Sequence, residues 1–425
     1  MNKRRFFLRQ VAHTSAGVLL GSSFLSAATR NALTGMATLP DAGADDDTFW
    51  EQVKQAYTVN ANMINLNNGG VSPQPRAVQE AVEHYNRLSN ETPSYYMWRI
   101  LDQGREPVRD KLAALAGCSP EEIAINRNSS EALETVIFGL PLKAGDEVVL
   151  TKQDYPNMIN AWKQREHRDG IVLKWINLEL PIEDEKTIVD AFASAITPRT
   201  RILHVTHMIN WTGQILPAKA LSQLAAQHGI EVLLDAAHTF AHFPYDIKDL
   251  GVTYMGTSLH KWLCAPFGSG MLYIQKDKIG KIYPLLAAPD PTSEDIRKFE
   301  NLGTRSFAIE QGIGHAVEFH HMIGTERKGK RLHYLKNYWV EQAQSIPGFQ
   351  LHTSLKPEWG CALSNFSLEG RDIGDLSSFL YNKYKVHTVP INWENIHGIR
   401  VTPNVYTATR DLDRFVEGIW AYTKT

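Results

Sequence analysis

Between Ile123 and Ile274 the chain repeatedly gathers apolar residues into runs one strand long, and most of those runs are separated by segments of helical periodicity. The runs are Ile123-Ala124-Ile125 and residues 147–150, 171–176, 201–205, 231–234 and 271–274. A strand that is apolar on both faces must be covered on both, and an intervening helix lets each strand return parallel to the last. The pattern predicts an α/β large domain with a mostly parallel sheet, seven-stranded in type, between layers of helix. Helices predicted over 75–88, over 107–116 with Gly117 at its end, and over 218–228 closed by Gly229 supply those layers.

Beyond residue 310 the texture changes. A long helical stretch over 310–345 gives way to a strand over 363–368, a helix over 375–384, a strand over 399–401 and an amphipathic helix over 411–422. These predict a smaller α+β domain over 306–425 behind a large domain over 65–305, with a linker and N-terminal arm over 36–64. Lys+Arg (44) and Asp+Glu (46) nearly cancel, which removes the polyelectrolyte signature of a general nucleic-acid binder. Three cysteines cannot build a disulfide framework in a chain of this length, so packing must hold it together.

Residues 1–35 obey different rules. Lys3-Arg4-Arg5-Phe6-Phe7-Leu8-Arg9 is basic, and the small, apolar stretch over 16–28 is interrupted by Gly17, Gly21, Ser22 and Ser23. That stretch is too short for a bilayer span of about 20 apolar residues, so a signal peptide is expected and a stable membrane anchor is not. The paired arginines resemble a twin-arginine export motif, with Lys3 where Ser or Thr is commoner, and imply passage through the twin-arginine translocase to the periplasm. Ser26-Ala27-Ala28 offers small residues for a cut after Ala28. A basic amphipathic arm is the alternative.

The chemistry starts at Asp235, the carboxylate that ends the expected buried strand Glu231-Val232-Leu233-Leu234-Asp235. Acidic groups are seldom buried unpaired, so Asp235 needs a cation or several donors. One strand later, Gly256-Thr257-Ser258-Leu259-His260-Lys261 places a serine, a histidine and a lysine at another strand-to-loop transition. Ligands collect at the carboxyl ends of such strands. A buried aspartate and a lysine converging there match the needs of pyridoxal phosphate: an amine for the Schiff base and an anion for the pyridine nitrogen. A plain ion pair at the sheet end is the competing reading. Asn128-Ser129-Ser130-Glu131 opens a helix after a strand, with capping-box spacing, and reads either as a phosphate site or as an ordinary N-cap.

Together these segments resemble the fold-type I, class V pyridoxal-phosphate enzymes, the group containing isopenicillin N epimerases, cysteine desulfurases and related aminotransferases. The resemblance runs from about Asn65 to the C-terminus. It rests on Leu66-Asn67-Asn68-Gly69-Gly70, Asn128-Ser129-Ser130-Glu131-Ala132, Asp235-Ala236-Ala237-His238, Ser258-Leu259-His260-Lys261, Gly303-Thr304-Arg305 and Arg400-Val401-Thr402-Pro403, in that order.

The resemblance implies Lys261 as the Schiff-base lysine and Asp235 as partner of the pyridinium nitrogen. Ser129, Ser130, Ser258 and His260 would bind phosphate, Tyr155 would stack on the cofactor, and Asn210 and His238 would lie near its phenolic oxygen. Thr304 would reach the phosphate of a neighbouring subunit, which implies a homodimer with shared sites. Arg400 would bind the substrate α-carboxylate, its planar fork suiting that group, and Asn68 would face substrate. The bland alternatives are a packed aromatic for Tyr155, a packed imidazole for His238 and a surface strand arginine for Arg400. Tyr95, Tyr96, Trp98 and Arg99 either line the entrance or pack. No metal site is expected.

One departure is informative: the segment over 384–399, where a cysteine desulfurase carries its nucleophile, contains no cysteine. Sulfur transfer is therefore disfavoured, and retention of Lys261, Asp235 and Arg400 together disfavours a non-enzymatic binding protein. The substrate expected is a small or peptide-like molecule with an amino-acid end. The leader together with a lysine near residue 260 resembles periplasmic enzymes of pyoverdine siderophore maturation, which implies aminotransferase-type tailoring of a glutamate-derived side chain. An epimerase-like outcome stays open.

Overall fold

Strand and helix alternate where the apolar runs require it. The computed structural model describes residues 3–39 and 43–425. Helices α1 (Lys3–Leu20), α2 (Ala27–Thr38) and α3 (Asp47–Gln55) precede a two-residue strand β1 (Ile64–Asn65). Next come α4 (Arg76–Glu91), a single turn α5 (Pro93–Tyr95) and α6 (Arg105–Ala116). Gly117 ends α6 at φ +69, a left-handed position that favours glycine.

Strand β2 (Ile123–Asn126) leads through α7 (Ser129–Gly139) to β3 (Glu147–Thr151), and α8 (Pro156–Asp169) leads on to β4 (Val172–Ile176). Then follow α9 (Glu185–Ala195), β5 (Thr200–Thr206), α10 (Ala218–Gln227), β6 (Glu231–Asp235), α11 (Ile247–Leu250), β7 (Tyr254–Ser258) and β8 (Gly270–Ile274). Among the described residues these form a seven-stranded sheet ordered β2-β8-β7-β6-β5-β3-β4. Its run β7-β6-β5-β3-β4 is parallel, and β8 is antiparallel to both of its neighbours.

The two-residue period of a strand explains why so many positions are apolar. On β5 and β6, Leu203, Val205, Val232 and Leu234 enter one core, while Ile202 and Leu233 enter the core on the opposite face. Truncating one of these fully buried leucines to alanine costs about 2–5 kcal/mol.

The helical stretch expected over 310–345 is two helices. Gly324, at φ +86, separates α12 (Phe307–Ile323) from α13 (Thr325–Ala343). Beyond them lie β9 (Phe349–Leu351), β10 (Ser364–Leu368), α14 (Ile373–Phe379), β11 (Val386–His387), β12 (Val389–Trp393), β13 (Ile396–Val401) and α15 (Thr409–Thr423). The smaller sheet is antiparallel, ordered β12-β13-β10-β9. Trp339 meets Phe366 and Phe415 edge-on beneath it, at 5.5 and 5.1 Å. The pair β1–β11 is parallel and ties the N-terminal arm to this region.

The N-terminal segments are folded onto the body. Leu19 and Leu33 are fully buried, α1 packs on α12, and α3 buries Phe49, Trp50 and Val53 inside the stretch expected as linker and arm. The expected cut after Ala28 falls in the first turn of α2, whose N-cap is Ser26.

Candidate active site

Because β5, β6 and β7 run parallel, their carboxyl ends deliver side chains to one edge of the sheet. Thr206 and Gly256 flank Asp235 in register. Asp235 is buried, and its Oδ1 accepts the Ala237 N–H at 2.9 Å. Burial pushes its carboxyl upward, opposed by the Ala237 N–H and by the Lys261 charge.

Lys261 arrives three residues beyond β7. Its Nζ lies 2.9 Å from Nε2 of His238, three residues past Asp235. Lys261 keeps part of its surface open, yet it sits deep enough that burial drives its amine down to about 8. Asp235 opposes that fall, and Arg400 adds to it. His238 is held well below the ordinary imidazole range by burial and then by the charges of Lys261 and Arg400. It is therefore neutral and able to accept from the amine. Lys261 thus contacts His238, where a plain Asp235–Lys261 ion pair was the competing reading.

The start of α7 forms the second part of the site. Asn128 caps it, accepting the Glu131 N–H at 2.9 Å. The capping box is half realised, because the Glu131 carboxylate turns to the backbone and guanidinium of Arg127. Ser258 Oγ accepts the Ser129 N–H and donates to Ser129 Oγ, both at 2.9 Å, with half-buried Ser130 beside them. A Cβ on Gly270 would come within 2.6 Å of the Asn128 backbone, so a glycine there permits the close approach of β8. A helix start with hydroxyls gathered on it suits a phosphate. His260 lies alongside, its Nδ1 3.2 Å from the Ser269 carbonyl. Thr304 is exposed on the loop before α12.

The third part comes from the smaller sheet. Arg400 on β13 is 8% exposed, so it is no surface arginine. It donates to the Asn210 carbonyl at 3.1 Å and to Asn67 Oδ1 at 2.9 Å, which leaves Nε–H buried without a protein partner. An unsatisfied buried donor is costly, and a ligand carboxylate would satisfy it. Tyr155, 38% exposed, lies within electrostatic reach of Arg400.

Asn68 must be corrected. Its Nδ2 donates to the carbonyls of Asn65 and Thr402, and its Oδ1 accepts from Tyr406 and Asn65, so its amide is fully engaged inside the protein. Asn67 is the member of this pair that meets Arg400. Of the aromatic-basic cluster, Trp98 packs on Phe307 and under Arg305, while Tyr95 is exposed.

Two residues that sequence reasoning passed over lie within electrostatic reach of Asp235. Asp154 accepts from the Thr151 N–H and the Thr206 hydroxyl, pinning the loop that presents Tyr155, and burial raises its carboxyl to about 7. His204 stands 4.0 Å from it, fully buried with both ring nitrogens unpartnered. An aspartate directly before the expected stacking residue was the available signal.

A protein-family model for aminotransferase class-V matches residues 64–389. The chain belongs to the class-V aminotransferase family. Its fold is that of the fold-type I pyridoxal-phosphate transferases, and its cofactor is pyridoxal phosphate. The geometry suits that group. The Lys261 amine lies against His238 and within electrostatic reach of the buried Asp235 carboxylate, Ser258 of the same strand end joins the serine-rich start of α7, and Asn210 Oδ1 and His238 Nδ1 are buried without a protein partner.

Among class-V relatives, isopenicillin N epimerase of Streptomyces clavuligerus is 26% identical over 88% of this chain and 98% of its own. A probable cysteine desulfurase of Synechocystis is 28% identical over 75% and 79%. The solved structure of the Escherichia coli cysteine desulfurase CsdA superposes with a TM-score of 0.78 at 20% identity, covering 88% of this chain and 98% of that one.

Proposed function

We propose that this class-V enzyme is exported to the periplasm and acts, in the manner of an aminotransferase, on the amino group and α-carbon of an amino-acid end. The substrate we assign is the glutamate-derived side chain of a pyoverdine siderophore. The observation that carries the reading is that the Lys261 amine lies within electrostatic reach of both Asp235 and Arg400. Bound there, pyridoxal phosphate supplies a protonated ring that withdraws electrons from the substrate α-carbon. Asp235 keeps the ring nitrogen protonated. Lys261, with an amine near 8, takes and returns a proton at the α-carbon as general base and acid. Arg400, braced by Asn67 and the Asn210 carbonyl, orients the α-carboxylate. Export carries folded cargo, which suits a protein loaded with its cofactor in the cytoplasm, and the leader is what supports a periplasmic substrate.

Epimerisation is the second reading, favoured by the epimerase relatives and by the Lys261–His238 contact, which puts two proton-carrying groups side by side. Sulfur transfer is disfavoured: Cys264 and Cys361 are buried, burial pushes the Cys361 thiol up to about 12, and the β12–β13 hairpin carries no cysteine.

The test incubates the loaded enzyme in deuterated buffer with a pyoverdine bearing an L-glutamate side chain, and follows the product by mass spectrometry. A carbonyl in place of the amine supports transamination. An unchanged skeleton with deuterium and inversion at the α-carbon supports epimerisation, and an unaltered substrate removes the siderophore assignment.

A further inference from the structure

Among the described residues, the Glu80 carboxylate takes its hydrogen bonds from the segment next to the expected cut. Oε2 accepts the Ser26 N–H at 2.8 Å, and Oε1 accepts from the Ser26 hydroxyl at 2.7 Å and the Thr29 hydroxyl at 2.6 Å. Ser26 Oγ also accepts the Thr29 N–H at 3.2 Å, which brings that nitrogen within one hydroxyl of the carboxylate. Ser26, Ala27 and Ala28 are exposed, whereas Thr29 is buried. Ala32, Leu33 and Met36 hold the rest of α2 in the body. The protein therefore presents an exposed small-residue tripeptide, the N-cap and first two residues of α2, on a helix anchored by its later turns.

Resting on the export reading above, we propose that Glu80 is the receptor for the N-terminus made when the leader is removed after Ala28. The export-associated peptidase adds water across the Ala28–Thr29 amide, giving an Ala28 carboxylate that leaves with the leader and a Thr29 ammonium that stays. The cut takes two donors from Glu80, the Ser26 N–H and hydroxyl. It also removes the N-cap of α2. The new ammonium supplies up to three N–H donors and a full positive charge beside the carboxylate, while the Thr29 hydroxyl remains in place. An ammonium at a helix start is otherwise unfavourable, so an anion that meets that charge stabilises α2 in its docked position after processing.

The surroundings leave the role to Glu80. Arg76, one turn earlier on α4, is the cation acting on it. On the other side, His84 stacks on Phe24 at 4.7 Å, His315 of α12 meets Phe24 edge-on, and Arg30 caps α1 through the carbonyls of Leu20, Ser22 and Leu25. Once residues 1–28 depart, Phe24 and Leu25 leave with them. The Glu80 pair becomes the polar anchor of the new terminus.

The experiment recovers the holoenzyme from the periplasm and reads its N-terminus by mass spectrometry. Its thermal midpoint is then followed from pH 6.5 to 10, for wild type and Glu80→Gln, with the cytoplasmic precursor of each as reference. A free α-amino group titrates near about 7.7–8.0, and pairing raises it. The stabilisation should therefore be complete below that range and lost as pH rises through the raised value. The expected result is a first residue of Thr29. Over that window the wild-type midpoint falls, the fall is abolished by Glu80→Gln, and neither precursor shows it. A folded exported protein that begins elsewhere overturns the proposal, and so does a pH slope that Glu80→Gln leaves unchanged. If no chain reaches the periplasm, the export reading fails and the proposal with it, an outcome told apart by the absence of any processed species.

Discussion

The amine of Lys261 donates to His238 Nε2 at 2.9 Å, so this nitrogen rests against a neutral imidazole, while the carboxylate of Asp235 accepts from a backbone N–H. The amine is kept low because deprotonation relieves its desolvation and its repulsion from Arg400.

That relationship sets a pH dependence. The amine must be unprotonated to capture pyridoxal phosphate, and its folded value near 8 lies below the ordinary lysine value of about 10.4. Capture by the apoprotein should therefore accelerate from pH 7 through 8 and level off above 9, measured by stopped-flow absorbance of the bound cofactor. Because the folded amine binds its proton less readily than the unfolded one, this group makes the apoprotein more stable as pH rises between those two values. Lys261→Ala should abolish covalent capture and turnover without lowering the melting temperature. Capture at one constant rate from pH 7 to 9 would show that Lys261 is not the titrating amine.

Asp235→Asn keeps the shape of the strand end but removes the charge that holds a proton on the cofactor ring. Breaking a buried pair from one side costs about 3–5 kcal/mol, so turnover should fall by roughly two orders of magnitude or more while some pyridoxal phosphate is still retained. Absorbance titration measures retention, and initial rates measure the loss. Wild-type rates in the variant would mean that the ring does not act as an electron sink.

Much of this was legible in the chain because the constraints are local. Strand β6 announces itself by three consecutive apolar residues, Val232, Leu233 and Leu234, closed with Asp235, and β7 by the run into Lys261, since a two-sided buried strand leaves little room for polar side chains. The break at Gly324 was less legible: Glu310 to Ser345 keeps helical character on both sides, and only the left-handed backbone of one residue separates the two helices. The exchange of roles between Asn67 and Asn68 was invisible. Neighbouring residues of one type differ only in where the chain turns, and Tyr406 and Thr402, which engage Asn68, lie more than three hundred positions away. His204 carried no signal because its meaning depends on which strand lies next to β5.

Arg400 tests the substrate side of the site. Its guanidinium is fixed by Asn67 and the Asn210 carbonyl, so a carboxylate meets a fork already oriented. Removing one partner of a buried charge pair costs about 2–5 kcal/mol. Arg400→Ala should therefore lower kcat/KM about 30-fold or more, chiefly through KM, with cofactor absorbance unchanged. Arg400→Lys should recover only part of the loss, because an ammonium lacks the planar pair of donors. An unaltered KM in the alanine variant would place the carboxylate elsewhere.

The exposed position of Thr304 joins compartment to assembly. We propose that this exposed residue serves the phosphate of a second copy. The mature protein should sediment as a homodimer, and Thr304→Ala should weaken pyridoxal-phosphate retention without lowering either protomer's melting temperature, since a hydrogen bond to a charged group contributes about 1.5–3 kcal/mol. Replacing Arg4 and Arg5 with lysine should trap the full-length chain in the cytoplasm, already dimeric and loaded, because export by this route follows folding. Fractionation with immunoblotting reads the compartment, and sedimentation with cofactor absorbance reads the assembly. A strictly monomeric protein that holds its cofactor tightly would remove the shared site, and normal export of the double-lysine variant would remove the twin-arginine reading of the leader.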